Sequence, residues 1–364
     1  MTTKVGVSID GETGEGLVDG PRVQAWLDAN IPQFGDGPLS VQKIAGGATN
    51  AVFLLERNAG KAVLRRPPRV PRPDSEKVLG REARVLRALN DTDVPAPRLL
   101  GHCQDHAVTG VDFYVMSHVD GWVAISGEED FPPPFDQPGP ERDRLAFELI
   151  DGIARLANVD YQAVGLEGYG KPDNFLERQV DRWLHQLEIY RTTESYQGRE
   201  LPGLAYVSDW LRGNLIETPR AGIIHGDYGF ANVIFANGDK ARLAAMIDWE
   251  LSTVGDPLLD LGWILYTFRS KDDPPGVEDA YFNAEHFPTR EALAEYYAEK
   301  TGLPLHNLTY YLVLAQFKLA VLLERKWAES AIGRRPKEYG EMFGDLVLKL
   351  LSNAEKQARA ARLK

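Results

Sequence analysis

The sequence predicts an α+β protein with two lobes, a small antiparallel β lobe with one helix followed by a large, mainly α-helical lobe. Short apolar segments separated by turn-forming residues occupy 39–119, which is typical of an antiparallel meander. From residue 142 onward, apolar residues recur at three- and four-residue spacing, which is typical of amphipathic helices. The composition changes near Gly121, so we expect a first lobe over 20–120 and a second lobe over 121–364.

The first lobe follows a stretch rich in Gly, Asp and Glu, residues 1–19, which we expect to be a disordered tail. Pro21 suits the first turn of a short helix, and Asp19 suits its N-cap. Five strands with one inserted helix are then predicted. The strands are LSVQKIAGG, NAVFLLER, KAVLRRP, PRLLGHC and VDFYVMSHV, and the helix spans about 75–89.

The second lobe begins with an acidic, proline-rich loop and is predicted to be mainly helical. The expected helices include 142–156, 175–190 and 204–216. Three short apolar segments interrupt the helical pattern and read as strands; they lie at 222–225, 233–235 and 243–247. Helices are expected again over most of the remaining chain.

The composition narrows the classes of partner. A formal charge of −12 argues against nucleic acid, because binding to phosphate backbones needs a basic surface. No apolar stretch reaches the roughly 18 residues that a membrane span needs, so no membrane partner is expected. A single cysteine, Cys103, cannot form an internal disulfide framework. The first residues resemble no secretory or transit signal, and we therefore predict a cytoplasmic protein.

The strongest chemical signal is HGDYGFAN at 225–232, followed by IDWE at 247–250. Phosphoryl transfer from ATP needs a carboxylate that orients the attacking hydroxyl, and oxygen ligands that hold magnesium on the phosphates. Asp227 can supply this carboxylate, while Asn232 and Asp248 can supply the ligands. Each residue alone also suits an ordinary turn. Their joint occurrence beside apolar strand segments favours the functional interpretation.

These segments resemble the aminoglycoside phosphotransferase and choline kinase superfamily, most closely the phosphotransferase-like domains fused to acyl-CoA dehydrogenases. The similarity begins near residue 40 and includes GGATNAVFLL, REARVLRAL, FYVMSHVDG, HGDYGFAN and IDWELSTVGDPLLDLGW. The resemblance implies a protein-kinase-like fold with ATP and Mg²⁺ as cofactors. It also implies that Asp227 is the catalytic base and that Asn232 and Asp248 bind magnesium. In the same family an aspartate at the position of Asp260 braces the catalytic loop.

The nucleotide site is predicted in the first lobe from weaker signals. Where the resemblance places the loop that covers the phosphates, the chain has Gly46, Gly47, Thr49 and Asn50. Glycine lets a backbone approach phosphate closely, but a plain Gly-Gly hairpin is the alternative. The hinge expected to bind adenine contains Met116, Ser117 and Val119. A simple core strand is equally compatible with that segment.

Two charged residues are expected to contact each other beside the phosphates. Arg65 falls where kinases of this fold carry a phosphate-binding lysine, and Glu82 falls where a helix glutamate pairs with that lysine. Arginine keeps the positive charge but presents a planar fork instead of a compact ammonium. Arg65 also opens a basic run with Arg66, Arg69 and Arg72, which is either part of this site or a solvated loop.

Two functions from different classes are consistent with these residues. The first is an ATP-dependent phosphotransferase acting on a hydroxyl group of a small molecule; the second is a catalytically silent nucleotide-binding scaffold of the same fold. An acidic loop suits a polycationic aminoglycoside, with an ordinary solvated loop as the alternative; it contains Glu128, Glu129, Asp130, Asp136, Glu141 and Asp143. The resemblance implies instead a hydroxyacyl-CoA-type acceptor, whose anionic end would prefer arginines. A protein kinase is disfavoured, because no D-F-G or A-P-E segment occurs. In addition, the chain after Asp248 is expected to run directly into a helix, which leaves no room for a long activation loop.

Overall fold

The small lobe is an antiparallel sheet with a helix on each side. The computed structural model describes residues 16–46, 50–125, 127–193, 196–268 and 287–361. Its first elements are α1 (Gly20–Asn30), β1 (Ser40–Gly46), β2 (Ala51–Arg57), β3 (Gly60–Arg66), α2 (Ser75–Leu89), β4 (Leu99–Cys103), α3 (His106–Thr109) and β5 (Phe113–Ser117). The five strands pair in the order β1-β2-β3-β5-β4. The predicted strands and the inserted helix are therefore confirmed, whereas the single turn of α3 was not expected.

Helix α1 packs against one face of this sheet. Its N-cap is Asp19, whose carboxylate accepts a hydrogen bond from the backbone N–H of Arg22 at 3.1 Å. Val23 and Leu27 are buried in one apolar cluster with strand residues such as Phe53. Leu17 also lies in this cluster and is only 5% exposed. The prediction of a disordered tail over 1–19 is thus wrong for residues 16–19, because Leu17 has an apolar site to fill; residues 1–15 lie outside the described chain.

Helix α2 connects the small lobe to the large one. Its apolar stripe includes Leu79, Ala83 and Leu86, which are buried in the same cluster as the core of the large lobe. The stripe matches the three- and four-residue spacing of a helix with one buried face. A boundary at residue 120 therefore stays a prediction, since the apolar core continues across it through α2.

The large lobe is mainly helical, with two small two-stranded sheets near the middle of the chain. Its elements are α4 (Pro140–Asn158), α5 (Gln179–Thr193), α6 (Leu204–Gly213), β6 (Gly222–Ile224), β7 (Val233–Phe235), β8 (Leu243–Met246), β9 (Thr253–Gly255), α7 (Leu258–Leu265), α8 (Arg290–Thr301), α9 (Leu308–Ala331) and α10 (Lys337–Ala360). Strand β6 pairs with β9, and β7 pairs with β8, both antiparallel. Together the two pairs place the 225–232 loop beside the residues that follow β8.

Two local expectations for the large lobe need correction. The expected helix at 175–190 begins only at Gln179, because turns occupy the preceding residues and Asn174 has a positive φ of 52°. The chain after Asp248 does not run directly into a helix. A short 3₁₀ turn at Trp249–Leu251 and strand β9 come first, since β9 pairs with β6. Within the described residues, no helix is long and apolar enough to cross a membrane.

Candidate active site

The 225–227 loop is held in place by a buried carboxylate. Asp260, in the first turn of α7, accepts hydrogen bonds from the backbone N–H of His225 at 2.6 Å and of Gly226 at 2.9 Å. Gly226 has a φ of +87°, and a Cβ built on it would lie 2.5 Å from the carbonyl oxygen of Leu251. Only glycine fits both constraints without strain. Asp260 is thus a brace for the loop, as the sequence implied.

His225 links the loop to the end of β8. Burial lowers the pKa of its imidazole to about 4, so the ring is neutral near pH 7. The ring Nε2 lies 2.9 Å from the carbonyl oxygen of Ile247, and a carbonyl only accepts, so Nε2 carries the proton. Nδ1 can then accept from the backbone N–H of Asp227 at 3.4 Å. The ring therefore joins the chain just before Asp248 to the chain at Asp227.

Asp227 and Asn232 are in direct contact within the 225–232 loop. The Asn232 amide nitrogen donates to the Asp227 carbonyl oxygen at 2.7 Å and to its carboxylate Oδ2 at 3.0 Å. Burial raises the pKa of Asp227, and the nearby Lys318 ammonium opposes that rise. A carboxylate held this way can accept a proton from a hydroxyl placed beside it.

Asp248 lies two residues after β8, in a left-handed backbone conformation with φ 65° and ψ 64°. Its Oδ1 accepts a hydrogen bond from Nη2 of Arg65 at 2.7 Å. The same guanidinium reaches Glu82, with Nε 3.0 Å from Oε2, and the Tyr114 hydroxyl donates to this carboxylate at 2.9 Å. The expected contact between Arg65 and Glu82 is present, and it extends to Asp248 in the other lobe.

The donor atoms around this cluster suit magnesium. Mg²⁺ prefers oxygen ligands, and Asp248 offers a carboxylate whose side chain is 33% exposed. The Asn232 amide nitrogen is bound to Asp227, which turns the amide oxygen away from that carboxylate. Magnesium sites that also take oxygens from phosphates and water usually need only one or two protein ligands, and in kinases these are an aspartate and an asparagine.

Lys318 is a site residue that the sequence did not identify. It lies on α9, is 4% exposed, and donates from Nζ to the Gly226 carbonyl oxygen. Its ammonium sits 4.3 Å from the ring centre of Trp263. Burial lowers the pKa of Lys318 to about 8, while Asp227 and Asp260 favour its charged form. The only sequence signal was a lysine inside a long apolar helical segment.

The structure gives positions in the small lobe for most of the other residues predicted for the nucleotide site. Gly46 ends β1, Asn50 is buried just before β2, and Gly47 and Thr49 lie outside the described residues. Met116 and Ser117 end β5, whose register sets Arg65 opposite Tyr114. Val119 lies in the short connection to Trp122, whose backbone exchanges hydrogen bonds with Phe235. Their roles in binding nucleotide stay predictions.

The basic run that begins with Arg65 at the end of β3 is not one site. Arg66 turns away from Arg65 and donates to the carbonyl oxygens of Leu17 and Thr109, so its side chain is structural. Arg69 and Arg72 are exposed on the following loop. Arg65 contacts two of the predicted site residues, Glu82 and Asp248.

Residues 40–296 match the sequence model of a family described as "Phosphotransferase enzyme family". Two similar curated proteins are named acyl-CoA dehydrogenase family member 11. The chicken protein (Gallus gallus) is 32% identical over 87% of this chain, and the human protein (Homo sapiens) is 29% identical over 90%. This chain spans only 40% and 42% of their lengths, respectively.

Solved structures share the fold over nearly the whole chain. A Ralstonia eutropha JMP134 protein assigned as an aminoglycoside phosphotransferase is 27% identical, with a TM-score of 0.77, over 94% of this chain and 99% of that one. A choline kinase from Cryptosporidium parvum Iowa II is 12% identical with a TM-score of 0.63, covering 94% and 96%. A mutant aminoglycoside phosphotransferase APH(4)-Ia, in complex with AMP-PNP and hygromycin B, is 14% identical with a TM-score of 0.58, covering 94% and 99%. The predicted two-lobed α+β fold is confirmed.

Proposed function

The chain belongs to the phosphotransferase enzyme family, and from this we propose that it is an ATP- and magnesium-dependent kinase for a hydroxyl group of a small molecule. The observation that carries the proposal is the arrangement around Asp248. This carboxylate holds Arg65 of the small lobe at 2.7 Å, and the preceding residue, Ile247, is joined through His225 to the loop bearing Asp227. A base, two oxygen donors and a phosphate-binding cation are therefore linked in one contact network.

In the proposed reaction Asp227 orients the hydroxyl of the acceptor and takes its proton. The hydroxyl oxygen forms a bond to the γ-phosphorus of ATP, and the bond from that phosphorus to the bridging oxygen breaks, which releases ADP. The backbone contacts of Asp260 and the contact with Asn232 hold the Asp227 loop before substrate arrives. Positioning of this kind lowers the barrier without further covalent chemistry.

Asn232 and Asp248 would hold magnesium, which when bound neutralises charge on the phosphate oxygens. Arg65 would contact the phosphates themselves. Its guanidinium has a permanent charge, and Glu82 fixes one edge of its planar fork. We therefore expect phosphate to compete with Asp248 for the remaining donors of Arg65.

For the acceptor we propose a hydroxyacyl-CoA-type compound, with an aminoglycoside-type compound as the alternative. Two curated relatives carry the name acyl-CoA dehydrogenase, which supports an acyl substrate. The acidic loop gives less support to a cationic antibiotic. Glu141 is already bound by the Lys240 ammonium at 2.7 Å and by the Ala241 N–H at 3.0 Å.

A thermal shift on adding Mg-ATP tests whether the chain binds nucleotide, as both the kinase and the silent scaffold require, since a ligand of the folded state raises its apparent stability. A screen of hydroxylated metabolites and aminoglycosides for ATP consumption then identifies the acceptor. With that acceptor, Asp227→Asn should lower turnover by about 100-fold or more, while the Mg-ATP shift survives.

The matched control is Asp209→Asn, because Asp209 is an exposed aspartate on α6. It should leave turnover and the Mg-ATP shift unchanged. Near-normal turnover in Asp227→Asn would remove that residue from the role of base. A bound nucleotide without turnover on any acceptor would favour the scaffold.

A cytoplasmic location stays a prediction.

A further inference from the structure

A cavity of about 500 Å³ lies between the lobes, beside the loop that carries Asp227. It is bounded by α2, by the 170–182 segment, and by residues 250–253, which follow Asp248. Leu251 lines the cavity, and its carbonyl oxygen packs against Gly226, the residue before Asp227. A group bound in this cavity is therefore held next to the proposed base.

The lining of this cavity is strongly basic. It contains five cationic side chains, Lys77, Arg81, Lys171, Arg178 and Arg182, against the two carboxylates of Asp74 and Glu250. This excess contrasts with the formal charge of −12 on the whole chain. A local positive surface on an acidic protein attracts anions to one place.

The three arginines among these five side chains contact neutral groups. Arg81 donates to the carbonyl oxygens of Tyr169 at 2.9 Å and Ser252 at 3.1 Å, and its guanidinium stacks 4.2 Å from the Tyr169 ring centre. Arg178 donates to carbonyl oxygens of the loop that precedes it. Arg182 lies over the ring of Trp183 at 5.2 Å.

Carbonyl and aromatic partners orient these guanidinium groups without neutralising them. Across the ranges that the structure describes, no ion pair joins Arg81, Arg178 or Arg182 to a carboxylate. Partial desolvation by the surrounding protein, together with the charges of Arg81 and Arg178, lowers the pKa of Arg182. Like charges gathered in this way repel each other, and an anion between them would relieve that repulsion.

We propose that this cavity binds an anionic group, a phosphate or a carboxylate, of the phosphate acceptor, chiefly through Arg81, Arg178 and Arg182. The inference rests on the proposed phosphotransferase function and specifies its acceptor as an anion. Arginine suits this task because its planar fork matches both carboxylate and phosphate oxygens. A polycationic acceptor would be repelled from the same cavity.

The cavity also couples the acceptor to the nucleotide site. Arg81 lies on α2 in the small lobe and immediately precedes Glu82, whereas Arg178 and Arg182 belong to the large lobe. An anion shared by these arginines fixes α2 against the large lobe, with Glu82 in contact with Arg65. Anion and nucleotide should therefore strengthen each other's binding, and such coupling is reciprocal.

The test measures binding and needs no turnover. Inorganic phosphate, citrate and hygromycin B are titrated into the full chain by calorimetry at constant ionic strength, with saturating AMP-PNP and magnesium so that the nucleotide site is filled. Arg182→Gln should weaken phosphate or citrate binding about tenfold, the loss of one hydrogen bond to a charged group. Whichever of the two anions binds more tightly identifies the preferred group.

Arg191→Gln is the matched control, because Arg191 lies on the same helix, is 44% exposed and does not line the cavity. It should bind anions like the unaltered protein. Because Arg182 is exposed, its replacement should not unfold the chain, and Arg178→Gln provides a second variant. Omitting AMP-PNP should weaken anion binding about fivefold, which reports the coupling.

Three results would overturn the proposal. The first is that neither anion binds detectably. The second is that Arg182→Gln and Arg178→Gln bind the anions as tightly as the unaltered chain does. The third is that hygromycin B binds and that those variants abolish its binding. The proposed function fails separately. If AMP-PNP gives no thermal shift while phosphate or citrate binds in an Arg182-dependent manner, the anion site stands and the kinase does not.

Discussion

His225 should make folding stability depend on pH in a way that a single substitution removes. Its side chain is 0% exposed, and burial lowers the pKa from 6.5 to about 4. Because the folded pKa lies below the unfolded one, the unfolded chain takes up the proton first as pH falls. The contribution to stability is therefore complete above about pH 6.5 and is lost as pH falls towards 4.

The magnitude follows from the pKa values. A change from 6.5 to about 4, at about 1.4 kcal/mol for each pKa unit, corresponds to about 3 kcal/mol in the acid limit. When the pH falls from about 7 to about 4.5, the contribution of His225 to the free energy of unfolding should fall by about 2 kcal/mol, which is most of this total. Asp256 and Asp260 act in the opposite direction, since burial raises the pKa of each to about 6. The contribution of His225 is therefore obtained by comparing the pH-dependent loss of unfolding free energy in the unaltered chain with the loss in His225→Gln.

The assay is urea unfolding of the unaltered chain and of His225→Gln at both pH values. Glutamine keeps an N–H that can donate to the Ile247 carbonyl oxygen but cannot take up a proton in this range. The free energy of unfolding should fall by about 2 kcal/mol more in the unaltered chain than in His225→Gln. His306→Gln, at an exposed histidine, should behave like the unaltered chain. Parallel pH profiles for all three proteins would refute the depressed pKa.

Substitutions at four further residues test the contacts of the site. Asp248→Ala should abolish activity and weaken Mg-ATP binding more than metal-free ATP binding in calorimetry; equal losses would mean that Asp248 does not bind metal. Arg65→Ala should raise the ATP requirement and lower turnover in steady-state kinetics, whereas Arg65→Lys should retain part of the activity, and no effect of either would remove this residue from the phosphate site. Gly226→Ala should destabilise the fold by about 2 kcal/mol or more in urea unfolding, because its Cβ would lie 2.5 Å from the Leu251 carbonyl oxygen. Asp260→Asn should lower turnover about tenfold or more with ATP binding retained, because an amide can offer only one acceptor oxygen to the two N–H groups that the carboxylate now satisfies; unchanged turnover would show that the brace is dispensable.

The sequence alone predicted most elements of the fold and the candidate site residues of the 225–232 loop, whose catalytic roles stay predictions. Strand and helix periodicity is a local property, so the five strands of the small lobe and the helix at Ser75–Leu89 could be read directly. The HGD loop, Asn232 and Asp248 lie within a short stretch, where spacing itself carries chemical meaning. Glu82 could be matched to Arg65 because the resemblance supplied their relative positions.

Tertiary structure alone decided which distant charges meet. Lys318 lies 92 residues from Gly226, and a lysine within an apolar helix gives no sign of which carbonyl it reaches. Arg65 and Asp248 are 183 residues apart, and only packing of the two lobes brings their side chains within 2.7 Å. The arginines of the cavity come from two lobes, and in the sequence each alone is typical of a solvated surface residue. Local periodicity specifies which face of an element is apolar, but long-range packing decides which polar groups share a cavity and so decides the charge that a substrate meets.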